Sequence, residues 1–178
     1  LWAYRSNRLP AAHKKAALAH GIAQAQAEWL VLTDADCLPG PQWLARLGAQ
    51  AAAAPGKLGM VLAPVRLAPA QGLWAKMQAL EHAGLVRLAW AGIVRGQPGL
   101  ANGGNLLLRR QAYQAVGGYT GADHLASGDD MLLALKLHAA GWQLGYLPQP
   151  KAAVAHPPAP TLRAFWQRWH ISLSTWLR

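Results

Sequence analysis

Trp29-Leu30-Val31-Leu32-Thr33-Asp34-Ala35-Asp36-Cys37-Leu38-Pro39 runs an apolar strand straight into two carboxylates one residue apart. A strand followed by Asp-x-Asp presents two hard oxygen ligands at a sheet edge, where a divalent cation can bridge them to a diphosphate. The arrangement points to a nucleotide-linked substrate. Taken alone, Asp34-Ala35-Asp36 reads equally well as a solvated turn, because Asp is a common turn residue. Scarcity adds weight to the pair. Of only 7 acidic residues, four fall in two clusters, Asp34/Asp36 and Asp129/Asp130, and none follows Asp130.

Working outward, the Ala-rich stretch 11–27, carrying Lys14 and Lys15, predicts a helix that ends before the strand at 29–33. Beyond the acidic turn, Pro39 and Pro41 interrupt the chain, and Pro41 suits the first turn of a helix over 41–53. Helix, strand, acidic loop and helix make an α/β order. Ala54-Pro55-Gly56 stops that helix, and Leu58 to Val65 is an apolar run suited to a buried strand. A long helix is predicted over 71–95, with Leu73, Met77, Leu80, Gly84, Leu88 and Ala91 near helical spacing. Its lone carboxylate, Glu81, reads as a solvated or ion-paired helix residue.

A glycine-rich loop, Gly96 to Gly104, leads into the apolar run Asn105 to Leu108 and then Arg109-Arg110. Gly117-Gly118 precedes Tyr119, and Ser127-Gly128-Asp129-Asp130 opens a predicted helix over 129–140 with its acids at the positive end. Capping and the helix dipole would by themselves account for those acids. Trp142 to Leu147 reads as a strand, and Pro148 to Pro160 as a proline-punctuated connector. A last helix carries Leu162, Phe165, Trp166, Trp169, Leu173, Trp176 and Leu177 on one face, with Arg163, Gln167, Arg168, His170, Ser172 and Ser174 largely opposite.

Composition bounds these readings. The 178 residues, 53% of them hydrophobic, suffice for one domain with a core. A net charge of +10 favours an anionic partner, which can be a sugar nucleotide, an anionic membrane surface or nucleic acid. The single cysteine, Cys37, excludes an intrachain disulfide framework and reads as a small buried filler. His156 reads as structural, since no His-x-x-x-His or Cys/His spacing surrounds it. No stretch reaches the ~18 continuous apolar residues of a membrane span. The chain opens without Met and in mid-pattern, at Leu1-Trp2-Ala3-Tyr4-Arg5, which predicts a piece of a longer protein.

Moving a glycosyl group from a nucleotide diphosphate needs positive charge on the leaving diphosphate, a base for the acceptor's proton and walls that position the sugar. Asp34 and Asp36 suit a cation, and Asp129 or Asp130, at a helix N-terminus, suits the base. The glycine loop occurring with both acidic clusters favours chemistry over the bland reading of each.

The succession Lys14-Lys15-Ala16-Ala17-Leu18, Leu32-Thr33-Asp34-Ala35-Asp36-Cys37, Asn102-Gly103-Gly104-Asn105-Leu106 with Arg109-Arg110, Val116-Gly117-Gly118-Tyr119, Ser127-Gly128-Asp129-Asp130-Met131-Leu132-Leu133 and Gln167-Arg168-Trp169 resembles a family 2 inverting glycosyltransferase, over nearly the whole chain. The resemblance implies a GT-A (Rossmann-like) fold acting on a nucleotide sugar, usually UDP-linked, with Mg²⁺ or Mn²⁺. It places Asp34 at the nucleoside and ribose and on the metal, Asp36 on the metal, and Asp130 as general base, with Asp129 supporting the base or binding acceptor. Lys14 would lie near the diphosphate, although His13 stands where the family often has glycine. Asn102, Gly103, Gly104 and Asn105 would help form the sugar and acceptor pocket. Arg168 and Trp169 match the terminal signature, with nucleotide and acceptor roles respectively. The signature's glutamine is displaced, a departure from the pattern that often accompanies processive polymer synthesis. The family begins with a strand and an acidic loop that grip the nucleotide base well before the metal motif. This chain lacks them, so the expectation is an N-terminally incomplete domain.

The resulting expectation is a partial GT-A catalytic domain over 1–160 and an amphipathic helix over 161–178, either packed as core or lying at a membrane interface. The activity would pass sugar to a lipid or glycan acceptor at the cytoplasmic side of a bacterial inner membrane, with no nucleic acid as partner. Two competing readings are a basic module binding nucleic acid or anionic lipid, and a metal-dependent nucleotidyltransferase. No nucleic-acid motif accompanies the basic residues, which are spread along the chain. No basic glycine loop precedes Asp34 within the chain, as a nucleotidyltransferase usually requires.

Overall fold

The computed structural model describes residues 14–98, 103–121 and 128–173, with side chains over 15–98, 103–121 and 128–167. The elements run α1 (Lys14–Gln24), β1 (Trp29–Thr33), β2 (Leu38–Pro39), α2 (Trp43–Ala52), β3 (Leu58–Leu62), β4 (Val65–Leu67), α3 (Gly72–Val94), β5 (Asn105–Arg109), α4 (Arg110–Ala115), α5 (Asp129–Ala139), β6 (Gln143–Tyr146), β7 (Val154–His156) and α6 (Leu162–Leu173). The α/β order expected from the sequence is the order observed.

Two sheets form. The larger has the order β1-β5-β3-β6, and the smaller β2-β7-β4. In the larger sheet β5 pairs antiparallel with both β1 and β3, while β3 and β6 run parallel. The buried strands β3 and β5 carry apolar runs, Leu58–Leu62 and 106–108, as strands covered on both faces do. Period-two alternation divides their side chains between two cores. Met60, Leu62, Leu106 and Leu108 pack with Leu133 and Leu137 of α5, whereas Val61 and Leu107 pack with Trp43 and Leu47 of α2. Each fully buried leucine contributes about 1.5–3 kcal/mol by leaving water.

The single run predicted over Leu58–Val65 divides into β3 and β4 because Pro64 cannot donate to a ladder. Its carbonyl instead accepts from Val154 N at 3.1 Å, and the chain steps from one sheet to the other. Within the connector predicted over Pro148–Pro160, a 3₁₀ turn (Pro150–Ala152) precedes β7, which pairs parallel with β4 and antiparallel with β2. Strands of two or three residues are too short for periodicity to reveal.

One end of the larger sheet is structural. Arg109 is buried, its guanidinium stacking 4.7 Å over Trp29, donating to the carbonyl of Gly56 and lying 3.4 Å from Glu28. The opposite end collects the carboxyl ends of β1, β3 and β6 and the start of β5. In α/β sheets this is where ligands bind.

Candidate active site

Antiparallel register sets Thr33, the last residue of β1, opposite Asn105, the first of β5. The acidic turn and the glycine loop therefore meet at one edge. Thr33 Oγ1 donates to the Gly104 carbonyl at 2.9 Å, fixing that meeting. Asp34 follows directly, and Cys37 N bonds Asp34 O at 3.1 Å to close the turn. Donor atoms of Asp34, Asp36 and Cys37 lie within 4.8 Å of one another.

His156, at the end of β7, reaches this turn from 120 residues away, with Nε2 2.8 Å from Asp36 Oδ2. Its other nitrogen, Nδ1, lies 2.7 Å from the Pro157 carbonyl, which can only accept, so Nδ1 carries a hydrogen. In the neutral ring this leaves the Nε2 lone pair confronting a carboxylate. Two acceptors at that distance require a positive centre between them, either a second ring proton or a metal ion. Metal-bound histidines usually show this arrangement, the far nitrogen donating to a backbone carbonyl. Asp34 and Asp36 offer two carboxylates suited to a divalent cation of the Mg²⁺ or Mn²⁺ kind, and the imidazole of His156 stands against Asp36. Cys37 is the weakest donor. Burial first, then the charges of Asp34 and Asp36, push its thiol up, and a protonated thiol binds metal poorly.

Across the glycine loop stands the second acidic cluster. Gly128 takes the left-handed conformation, with φ of 84°, and starts α5 so that Asp129 and Asp130 occupy its first turn. Both side chains are buried, where the helix dipole favours their charge. A β-carbon on Gly103 would fall 1.6 Å from Asp130 Oδ2, so the loop backbone lies directly on that carboxylate. Gly103 touches Asp130, while Gly104 is bonded to Thr33, next to Asp34. One dipeptide joins the two clusters. Asp129 Oδ2 is buried with no hydrogen-bond partner among the described residues, a costly arrangement suited to an incoming donor.

The Gly117-Gly118-Tyr119 segment backs this cluster. Gly118 has φ of 55°, and a β-carbon there would meet the Tyr113 ring at 2.4 Å. The turn sets Tyr119 edge-on to Tyr113 at 5.4 Å and holds it through Lys136 Nζ, which donates to Gly118 O at 2.7 Å. Burial first, then the charges of Asp130 and Asp129, push the Tyr119 phenol above its ordinary range, so it stays neutral.

Of the other residues singled out from the sequence, Asn105 lies inside. Its Oδ1 accepts from Trp43 Nε1 at 2.9 Å, and its Nδ2 donates to Pro64 O at 2.9 Å and Ala152 O at 2.8 Å. Lys14 opens α1, and Arg168 and Trp169 lie in α6, but their side chains are outside the described residues, as are His13 and Asn102 altogether. Sequence reasoning missed the placement of His156, because no local spacing marks a histidine whose partner is on another strand. It also gave no sign that Thr33 would bind the glycine loop.

The fold has counterparts. A mannosyltransferase from Pyrobaculum calidifontis, solved in complex with GDP-Man and Mn²⁺, superposes with a TM-score of 0.60 at 19% identity, covering 87% of this chain and 39% of that one. A mycobacterial protein superposes at 0.52 with 16% identity, covering 85% of this chain and 46% of that one. The chain thus spans less than half the length of these two solved structures. At such identities the likeness is one of fold, and the fold is that of GT-A glycosyltransferases. Residues 4–171 match the sequence profile of glycosyl transferase family 21. The chain belongs to that family. No curated protein matches it.

Proposed function

We propose that this domain is an inverting glycosyltransferase, of the kind its family 2 motifs resemble, that moves a sugar from a nucleotide diphosphate donor, UDP-linked, to a lipid or glycan acceptor. The observation that carries the reading is the backbone of Gly103 lying on the carboxylate of Asp130 while Gly104 is tied to Thr33 beside Asp34. The reading takes Asp130 as the base and the Asp34 side as the diphosphate end, on either side of that peptide segment.

In the reaction proposed, Asp130 takes the proton of the acceptor hydroxyl as its oxygen attacks the anomeric carbon. The bond from that carbon to the diphosphate oxygen breaks, and the configuration inverts. Asp129, whose buried Oδ2 has no partner among the described residues, receives a hydrogen bond from the acceptor. Gly103 and Gly104 offer backbone where a side chain would crowd the sugar, Asn102 would contribute to the same pocket, and Asn105 holds their strand in place. Lys14 and Arg168 supply charge toward the nucleotide, and Trp169 a wall for the acceptor. Asp34, Asp36 and His156 would hold Mg²⁺ or Mn²⁺, which when bound neutralises charge on the leaving diphosphate.

The remaining parts of the reading are a nucleotide-base subsite contributed by sequence N-terminal to this segment, contact of residues 161–178 with a membrane surface, and a place on the cytoplasmic side of a bacterial inner membrane making envelope glycan. The net charge of +10 supports the anionic substrate and surface. Among the described residues no helix is long and apolar enough to cross a membrane.

The test is nucleoside diphosphate release from a panel of UDP and GDP sugars by the parent protein in membranes, with Mn²⁺ or with EDTA. Metal-dependent release is expected. Pyrophosphate as product would make the enzyme a nucleotidyltransferase, and no release from folded protein would make it a binding module.

A further inference from the structure

Helix α3 is built with its polarity reversed. Its inward side carries Gln78, Glu81 and His82 beside Ala75, Ala89 and Ile93, whereas Leu73, Met77, Leu80 and Leu88 point outward. These four recur at i, i+4, i+7 and i+15, with Gly84 completing the i+11 position, so they form one stripe along the helix. Leu73 and Leu80 are each 77% exposed. A helix that faces water on one side shows the opposite distribution. An apolar strip of this length on a protein surface marks an interaction site.

The inward polar residues have a task. Gln78 Nε2 and Trp74 Nε1 both donate to the Ala159 carbonyl at 3.1 Å, and Gln78 Oε1 accepts from Ala159 N at 2.9 Å. They clamp the connector that follows His156. Among the described residues the outward leucines have no such partner.

Charge identifies the occupant. Lys76 and Arg87 flank the stripe and Arg95 closes its end, all exposed, while the helix's one acid, Glu81, is turned partly inward. A second copy would set these cations against themselves, under a net charge of +10 on each chain. An anionic bilayer meets both demands, taking the apolar stripe into its acyl boundary and the flanking cations at its headgroups. With Lys76, Glu81 and Arg87 inside it, the helix would lie in the interface rather than cross it. The surface also continues onto a second helix. Trp74 of α3 stacks edge-on to Phe165 of α6 at 5.3 Å, and neighbouring Leu162 and Trp166 are exposed.

We propose that the outward face of α3 is the main docking surface of this domain on an anionic membrane, with the start of α6 as its margin. This rests on the membrane partner proposed above but moves the contact from α6 to α3. It puts the bilayer against the helix whose other side holds the His156 connector, so a lipid acceptor would arrive next to the acidic site.

The test is flotation of the chain with phosphatidylcholine vesicles, alone or with about 30% phosphatidylglycerol. Anionic vesicles should bind it and neutral ones should bind it at least roughly tenfold less. Leu80→Glu with Leu88→Glu should lower anionic binding by at least roughly tenfold, whereas Leu44→Glu with Leu135→Glu, the same charge change on α2 and α5, should match a loss of under roughly threefold. Lys76→Gln with Arg87→Gln, which leaves the apolar stripe whole, should weaken the anionic preference and keep native circular dichroism. Equal losses in the two leucine pairs would overturn the proposal. So would loss confined to Leu162→Glu with Trp166→Glu, which leaves the α6 reading standing. Absence of any anionic binding would sink both. A wild-type dimer in gel filtration that Leu80→Glu with Leu88→Glu dissociates would assign the face to a second copy.

Discussion

The α-carbon of Gly103 and the carboxylate of Asp130 are in such contact that a β-carbon at 103 would fall 1.6 Å from Oδ2 and 2.2 Å from Cγ. No rotamer change on Gly103 can relieve this, since the clash is with the first carbon a side chain adds. Gly103→Ala must therefore displace Asp130. Its expected effect is a fall in kcat of roughly 100-fold, in the range for a misplaced base, with KM for the nucleotide sugar within about twofold. Steady-state nucleoside diphosphate release checks both, and a variant with normal kcat would remove Asp130 from the reacting group.

The two adjacent carboxylates should separate by substitution. Asp130→Asn keeps size and hydrogen bonding but cannot accept a proton, so transfer should drop by about 10²–10⁴-fold with donor affinity almost unchanged. Asp129→Asn should mainly raise KM for the acceptor, because its buried Oδ2 awaits a donor in place of giving chemistry. Isothermal titration with the donor and a two-substrate rate matrix read the two effects apart.

Asn105 stands behind the site and should act on stability. Asn105→Ala leaves Trp43 Nε1 and Ala152 O without the Asn105 partner each now has, while Pro64 O keeps its bond from Val154 N. Unsatisfied buried groups cost about 1–3 kcal/mol apiece, and partial relaxation brings the expected loss to about 3 kcal/mol. Urea unfolding with an unchanged m-value would show it; a loss of activity in a variant of full stability would return Asn105 to the sugar pocket.

Much of this was legible in the chain. Strand β1 and its Asp-x-Asp turn, the described end of the glycine loop at Gly103-Gly104, and the acid-headed α5 are local patterns in which propensity and period agree, and each stands where the sequence puts it. Lost to sequence were β2 and β7, with two and three residues, and the pairing that brings His156 to Asp36. Neither residue's neighbours reveal the other. The polarity of α3 was hidden for another reason. Periodicity finds the apolar stripe of Leu73, Met77, Leu80 and Leu88 but not which way it faces, and here a polar inner face, fixed by Gln78 on Ala159, turned it outward.

Stability should depend on pH through buried acids that stay protonated. Burial raises the titration of Cys37, Tyr113, Tyr119 and Tyr146 above their ordinary 9.0 for thiol and 10.0 for phenol. The folded chain then keeps protons that the unfolded chain releases. Stability from these groups is complete below the unfolded values and is lost as pH rises past them toward the folded ones. The melting temperature should fall beyond about pH 9, and Tyr119→Phe should flatten the fall, since it removes a buried phenol set against Asp130 and Asp129. An equal slope in the variant would show that Tyr119 is not the group responsible.

The contact of His156 Nε2 with Asp36 Oδ2, at 2.8 Å, sets the last expectation. Nδ1 is bound to the Pro157 carbonyl, so the ring is held with Nε2 turned toward the acidic turn. If a cation is the positive centre between them, His156→Ala should weaken Mn²⁺ binding by about 10–100-fold, as loss of a ligand or its orienting partner does. Cys37→Ser should change it by less than about threefold, because its raised thiol contributes little to a hard cation. Mn²⁺ titration followed by electron paramagnetic resonance reads affinity without turnover. Unchanged affinity in His156→Ala would leave a ring proton as the positive centre and confine His156 to bracing the turn, whereas a large effect of Cys37→Ser alone would shift the ligand set to Asp34, Asp36 and the thiol.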